Sequence, residues 1–209
     1  VFPEGTVSIP AYVAYDVTSI ESIELPEGIT SIGASAFDRI ASLFFVEKPN
    51  DDYEYVQFLG LSHAKRTYRW FRKDYFNMVE SFEKYKVFVP AANGSGAIGE
   101  VLSTPLCGQP LCGHTETFLS IGSFDTEEEV KACYKYICSK FCRVMLGVLK
   151  ITQHNSAEKW AYVPMQDFTP DSDIDWTQPI PDIDRQLYAK YGLTPEEIDF
   201  IETHVKEME

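Results

Sequence analysis

Along the first 45 residues, apolar and polar positions alternate in short runs (TVSIP, YVAYDV, SIESIEL, ITSIG) punctuated by proline and glycine. Such alternation predicts short strands joined by turns. DYEYVQFLG (52–60), TYRWF (67–71), KVFVP (86–90) and HTETFLSIG (114–122) are further strand candidates, rich in aromatic and β-branched side chains. The period then changes. Thr126-Glu-Glu-Glu129 is a capping-box start, and Val130, Cys133, Tyr134, Ile137, Phe141, Val144, Met145 and Val148 follow at helical spacing. This predicts one long amphipathic helix over about 126–149. Lys131, Lys135, Lys140 and Arg143 lie largely off the apolar stripe and read as its solvated face. Beyond Lys150 the chain is polar and rich in proline, with one short strand expected at WAYVP (160–164). Two short helices close it: Asp182 is expected to cap IDRQLYAKY, Gly192 to end it, and Thr194-Pro-Glu-Glu197 to open IDFIETHVKEM. The fold class is therefore α+β: a mixed, mainly antiparallel β core in the first two-thirds, the long helix, and two short C-terminal helices. Residues 1–165 are expected to form a β-rich domain with the helix, and residues 166–209 a polar linker and a helical pair packed on it.

Composition adds bounds rather than chemistry. The 209 residues suffice for one large domain or a domain with an appendage, and 44% hydrophobic content is ordinary for a globular protein. No apolar run reaches the roughly 18 residues that span a bilayer, and VFPEGTVSIP lacks the features of a signal peptide. A cytoplasmic protein with no membrane partner is expected, and the start at Val1 rather than Met suggests an excised fragment. Five cysteines make an odd count, which favours reduced thiols. Cys107, Cys112 and His114 lack an evident fourth ligand and fit no common zinc spacing, so no metal is expected. The net charge of −14 opposes polyanion binding, but its distribution is uneven. Residues 1–54 carry −8, residues 55–166 carry +3 and residues 167–209 carry −9. The positive charge of the middle concentrates in HAKRTYRWFRK (63–73) and in the helix from Lys131 to Lys150.

One stretch looks like a cofactor loop. In VFVPAANGSGAIGEVL (87–102), Gly94, Gly96 and Gly99 spell G-x-G-x-x-G after a strand-like run. A dinucleotide loop must open a helix, whose N-terminal amides hold the pyrophosphate. Here Pro105 and Pro110 follow too soon for a helix to form. The reading is instead a glycine-rich turn between two strands whose amides suit a phosphate, beside Lys84 and Lys86. SIELPEGITSIGASAF also resembles one unit of the bacterial leucine-rich repeats. A solenoid needs several stacked units, so a single one reads as a look-alike.

KYKVFVPAANGSGAIGEV, KYICSKFCRVML with its LKITQ exit, VPMQDFT and LYAKYGLTPEEIDFIE together resemble the C-terminal part of bacterial type II restriction–modification enzymes. These are adenine-specific DNA methyltransferases, some fused to a nuclease, that carry their own target-recognition domain. The likeness runs from about Phe37 to the C-terminus, and type I specificity subunits are a more distant likeness. The resemblance implies a specificity domain that recognises double-stranded DNA and positions it for a methyltransferase or nuclease domain of the same polypeptide. The Asn-Pro-Pro-Tyr motif is absent here, so no catalytic residue and no cofactor is expected in this chain. S-adenosylmethionine and magnesium would belong to the missing catalytic part. A base-extruding methyltransferase needs a second domain that grips the duplex. The phosphate-positioning candidates are Lys65, Arg66, Arg69, Arg72, Lys73 and Lys86, with the turn of Gly94, Ser95 and Gly96. Arg66, Arg69 or Arg72 are alternatively bidentate guanine readers. Gln153, His154 and Asn155 are candidate base readers or backbone donors at the helix exit, against helix-end capping as the competing role of Gln153 and Asn155. From another class, the aromatic richness and repeat-like start fit a protein–protein interaction module.

Overall fold

The computed structural model of the chain describes residues 8–9, 31–32, 44–75, 79–92, 102–149 and 155–208. They form α+β architecture, as the pattern predicts. The glycine turn and the helix exit at Gln153 and His154 lie outside the described residues. The chain divides into two compact units, one drawn from Val1–Tyr85 and Gly108–Phe118, the other from Lys86–Cys107 and Leu119–Glu209. This division differs from the 1–165 and 166–209 reading. The C-terminal helices pack against those that begin at Glu127, so they share one body with them.

In the first unit, β1 (Ser8–Ile9) pairs in parallel with β2 (Ser31–Ile32), Ser8 opposite Ser31 and Ile9 opposite Ile32. Partners thus lie 23 residues apart, and the same offset superposes Pro3-Glu-Gly5 on Pro26-Glu-Gly28. The repeat-like unit therefore has a neighbour in register, which a reading confined to one unit missed. β3 (Tyr55–Ser62) and β4 (Lys65–Arg72) form an antiparallel hairpin, and β7 (Cys112–His114) adds in parallel on the far side of β3. Strands rich in β-branched and aromatic residues suit such a sheet, and its inner face builds an aromatic core. Phe71 is fully buried with its ring centre 4.8 Å from Phe44 and 5.8 Å from Phe58. β7 approaches this core so closely that a Cβ on Gly113 would stand 2.6 Å from the Phe58 ring, so only glycine fits there.

In the second unit a three-stranded sheet runs in the order β6 (Leu106–Gly108), β5 (Tyr85–Pro90), β8 (Phe118–Phe124). Its central strand buries Val87, Phe88 and Val89 completely. α1 (Glu127–Cys138) starts on the Thr126 capping box, with Glu129 returning to the Thr126 amide. The expected single helix is interrupted at Ser139, and α2 (Lys140–Leu149) begins afresh. Ser139 is extended at ψ 151°, and its hydroxyl accepts from the Cys142 amide at 3.1 Å. A serine that satisfies the third amide of a new helix is an N-cap, and it ends the preceding helix in doing so. WAYVP is not a strand: α3 (Ala157–Trp160) and a turn occupy it. α4 (Ile180–Tyr191) starts two residues before Asp182, with Pro181 in its first turn, and ends on Gly192 at φ 63°. α5 (Pro195–His204) opens on the Thr194 capping box.

Candidate nucleic-acid interface

The β3–β4 hairpin is built residue by residue from its register. Tyr55 faces Arg72 and Ser62 faces Lys65, which leaves His63 and Ala64 as a two-residue turn. Both have positive φ, 50° and 60°, the signature of the mirror-image type I turn whose twist matches the strands. Non-glycine residues reach that region at a cost of roughly 1–2 kcal/mol each. β7 pairs with Gln57, Phe58 and Leu59 only, and Thr115 stands against Gly60. Residues directly opposite in an antiparallel pair share a face of the sheet. Leu61, Arg66, Tyr68, Trp70 and Arg72 therefore lie on one face, and Ser62, Lys65, Thr67 and Arg69 on the other.

The nominated cations separate into two sets. Arg72 is bound within the fold: its Nε donates to Asp74 Oδ1 at 2.9 Å, and its guanidinium lies 3.4 Å from the Tyr53 ring centre and 4.4 Å from that of Tyr75. The Asp74 hydrogen bond raises the Arg72 pKa, and the same bond holds the Asp74 carboxyl below its ordinary range. Lys73 donates to Glu54 at 2.7 Å, which raises the lysine and lowers the carboxyl. Lys65, Arg66 and Arg69 differ. Lys65 is exposed, Arg66 lies 5.8 Å from the Phe118 ring centre, and Arg69 donates to the Tyr68 carbonyl. None of the three pairs with a carboxylate among the described residues.

Two nominated residues are corrected by their burial. Lys86 is 5% exposed in β5, a strand with four consecutive buried residues, so it is not a surface contact for phosphate. Asn155 is fully buried; its amide donates to Ala91 O at 2.8 Å and its Nδ2 to Pro90 O at 3.3 Å. It fastens the chain to the end of β5 and reads no base.

Of the helix cations, Lys131 is exposed as expected and pairs with Glu127, while the other three are corrected likewise. Lys135 gives its amine to the carbonyls of Trp176, Thr177 and Gln178. Lys140 is buried and pairs with Glu202, which also accepts from Tyr188. Arg143 is 2% exposed; its Nε donates to the Cys138 and Ser139 carbonyls, and its Nη2 reaches Lys206 O at 2.6 Å. Desolvation lowers its pKa. Asp184, which the sequence reading used nowhere, accepts the Lys140 amide at 3.1 Å and the Phe141 amide at 2.9 Å. The break at Ser139 creates the needs that Arg143 and Asp184 meet, since one helix ends with orphan carbonyls and the next begins with orphan amides. The signal was a serine inside the stripe followed by a cation four residues on.

No group of three or more His, Cys, Asp or Glu suited to a metal occurs among the described residues. No described helix is long and apolar enough to cross a membrane. No described cysteine takes part in a disulfide, and burial pushes the Cys138 thiol up to about 11 and those of Cys133 and Cys142 well above the ordinary thiol range. Such thiols are poor nucleophiles at neutral pH. An apolar cavity of about 270 Å³ in the second unit is lined by Ile121, Trp160, Val163 and Phe168, among others. Its only ionisable groups, Cys133 and Tyr136, are both pushed up by burial, so it offers no charge to steer a ligand. The hairpin end is the stronger candidate. Comparison with protein-family models, with curated proteins and with solved structures finds no match.

Proposed function

We propose that the chain is a double-stranded-DNA recognition module, contacting the duplex through the end of the β3–β4 hairpin. In this reading it is the specificity domain of a restriction–modification enzyme whose catalytic domain supplies adenine methylation or cleavage. One observation carries the proposal. In a chain of net charge −14, Lys65 and Arg66 at a hairpin end, and Arg69 further along the same strand opposite Phe58, have no carboxylate partner among the described residues. Cations left unpaired in an acidic protein offer local positive potential, which acts within a Debye length of about 10 Å at 0.1 M salt. The resemblance of KYICSKFCRVML, VPMQDFT and LYAKYGLTPEEIDFIE to restriction–modification enzymes supports the same reading and supplies the enzyme class.

The test is a salt titration of binding between the 209-residue chain and a duplex of mixed sequence. Binding that falls steeply with salt is expected. Replacing Lys65, Arg66 and Arg69 with glutamine should flatten the slope of log K against log salt by about 3, because each phosphate contact contributes about 0.9. Binding that ignores both salt and the triple substitution sinks the proposal.

A further inference from the structure

We propose, resting on the DNA-recognition reading above, that the β3–β4 ribbon enters the major groove tip first. His63 and Ala64 lead, and the two faces of the ribbon meet opposite walls of the groove. A flat electrostatic patch lying along one phosphate strand is the alternative geometry, and three features of the hairpin separate the two.

The first is its reach. β7 accompanies β3 no further than Leu59, so beyond Gly60 and Thr67 the sheet narrows to two strands. Three residues from Gly60 to the turn, at about 3.3 Å each, give the two-stranded part a length of about 10 Å, with the Phe118 ring beside Arg66. In undistorted B-DNA a major groove is about 8.5 Å deep and about 12 Å wide and admits a two-stranded ribbon, whereas a minor groove about 6 Å wide does not.

The second is the placement of charge. Arg66 lies on one face, Lys65 and Arg69 on the other. A patch that docks flat needs its cations on one side. Cations on both sides suit a cleft walled by phosphates on the left and on the right, which is what a groove is.

The third is the tip. His63 and Ala64 are exposed and carry no carboxylate, and the Ser62 hydroxyl lies 3.3 Å from His63 Nδ1. A hydroxyl and an imidazole supply both a donor and an acceptor for base edges, and the Ala64 methyl suits the thymine methyl, which only the major groove displays. The left-handed backbone at both positions holds these groups at the apex. The division of labour follows: Lys65 and Arg66 bear the walls, Arg69, behind the two-stranded part, meets phosphate at the rim, and Ser62, His63 and Ala64 face the floor.

The experiment selects duplexes bound by the 209-residue chain from a random-sequence pool, then methylates the winners chemically before rebinding. Methylation at guanine N7, a major-groove atom, is expected to block binding at three or four adjacent base pairs. Methylation at adenine N3, in the minor groove, is expected to leave those positions unaffected. Repeating the selection with His63→Ala is expected to relax the preference at one or two of those pairs while the salt slope is unchanged. Arg66→Gln and Arg69→Gln should each lower that slope by about 1 and leave the preference intact. Interference confined to adenine N3 overturns the groove assignment. So does binding that depends on the three cations while ignoring methylation at both atoms, which is the flat patch. In either case the DNA reading stands. A chain with unaltered thermal unfolding that binds no duplex at low salt brings down that reading itself, and the groove assignment with it.

Discussion

Two groups of cations in this chain look alike in sequence and are opposite in the fold. Lys65, Arg66 and Arg69 lie on one hairpin strand and meet no carboxylate among the described residues. Lys135, Lys140 and Arg143 lie on or beside a helix break and are consumed within the fold, Arg143 by carbonyls of the break, Lys135 by the carbonyls of Trp176, Thr177 and Gln178, and Lys140 by Glu202. The difference is what the local backbone lacks. Along a paired strand no run of orphan groups builds up: among the described residues Arg69 gives one hydrogen bond, to the neighbouring Tyr68 carbonyl, and Lys65 and Arg66 give none to the backbone. A helix that stops and restarts leaves four groups unsatisfied at each end, and nearby donors are drawn in. Positive charge stays available for binding where neither a carboxylate nor a set of orphan carbonyls takes it up.

The sharpest way to break this comparison is Arg143→Met. The substitution keeps much of the volume but leaves the Cys138, Ser139 and Lys206 carbonyls without their donor. Hydrogen bonds from a charged group contribute about 1.5–3 kcal/mol, so a loss of roughly 3 kcal/mol in urea unfolding is expected. A loss below about 1 kcal/mol, of the size usual at the surface, would place Arg143 with the hairpin cations after all.

Asp184→Asn probes the other side of the break, with a loss of roughly 2 kcal/mol at its largest. Asparagine has one acceptor oxygen, whereas the Lys140 and Phe141 amides each use a separate carboxylate oxygen of Asp184. The pH dependence has a definite sign. Burial raises the Asp184 carboxyl to about 6 against the pull of the two amides. The native protein therefore keeps this proton to higher pH than the unfolded chain does. The resulting stability is present below the ordinary carboxylate range and is lost as pH rises through about 6. Asparagine does not titrate, so the deficit of the variant should be largest near pH 4 and shrink towards pH 7. Unfolding curves at the two pH values check this, and a deficit that grows with pH refutes it.

These buried roles explain how far the sequence could be read. Features set by neighbouring residues were legible: the capping boxes at Thr126 and Thr194, the stop at Gly192, the strands expected at 52–60 (found at Tyr55–Ser62), 67–71 and 86–90, and the α+β class. Features set at a distance were not. Ser139 fits a helical stripe as well as any small residue, and only Asp184, 45 positions on, reveals it as a start. Lys86 sits in a strand that alternation would expose on one face, but four consecutive positions of that strand are buried. WAYVP has strand-like aromatics, yet Trp160 closes a single helical turn. In the candidate site, chemistry was legible and pairing was not: Asp74, with the Tyr53 and Tyr75 rings, holds Arg72, and Glu54 holds Lys73, while no carboxylate among the described residues meets Arg66 or Arg69.

The hairpin tip gives a smaller effect of opposite sign. His63-Ala64→Asn-Gly places the residues best suited to positive φ at 50° and 60°. A gain of about 1 kcal/mol is expected, because glycine removes the Cβ conflict that Ala64 carries. If the tip reads bases, the same substitution should weaken duplex selection while it stabilises the fold. A variant that is more stable and equally selective would separate the strain at the tip from recognition.

The smallest effect is the most telling for the comparison. Replacing Lys65, Arg66 and Arg69 together with glutamine should change stability by no more than about 0.5 kcal/mol, the range for surface positions without special partners. Glutamine preserves the aliphatic stems, including the one that carries Arg66 over Phe118, so packing is kept while three charges are removed. The strands are held by the register from Tyr55–Arg72 to Ser62–Lys65 and by Phe71 in the aromatic core, to which these charges contribute nothing. Removing repulsion among three neighbouring cations gives a small term of the opposite sign. Unfolding of this variant and of Arg143→Met under one set of conditions then measures the contrast directly. Three charges lost from the hairpin should cost less than one lost from the helix break, because at the break the backbone depends on the cation and at the hairpin it does not.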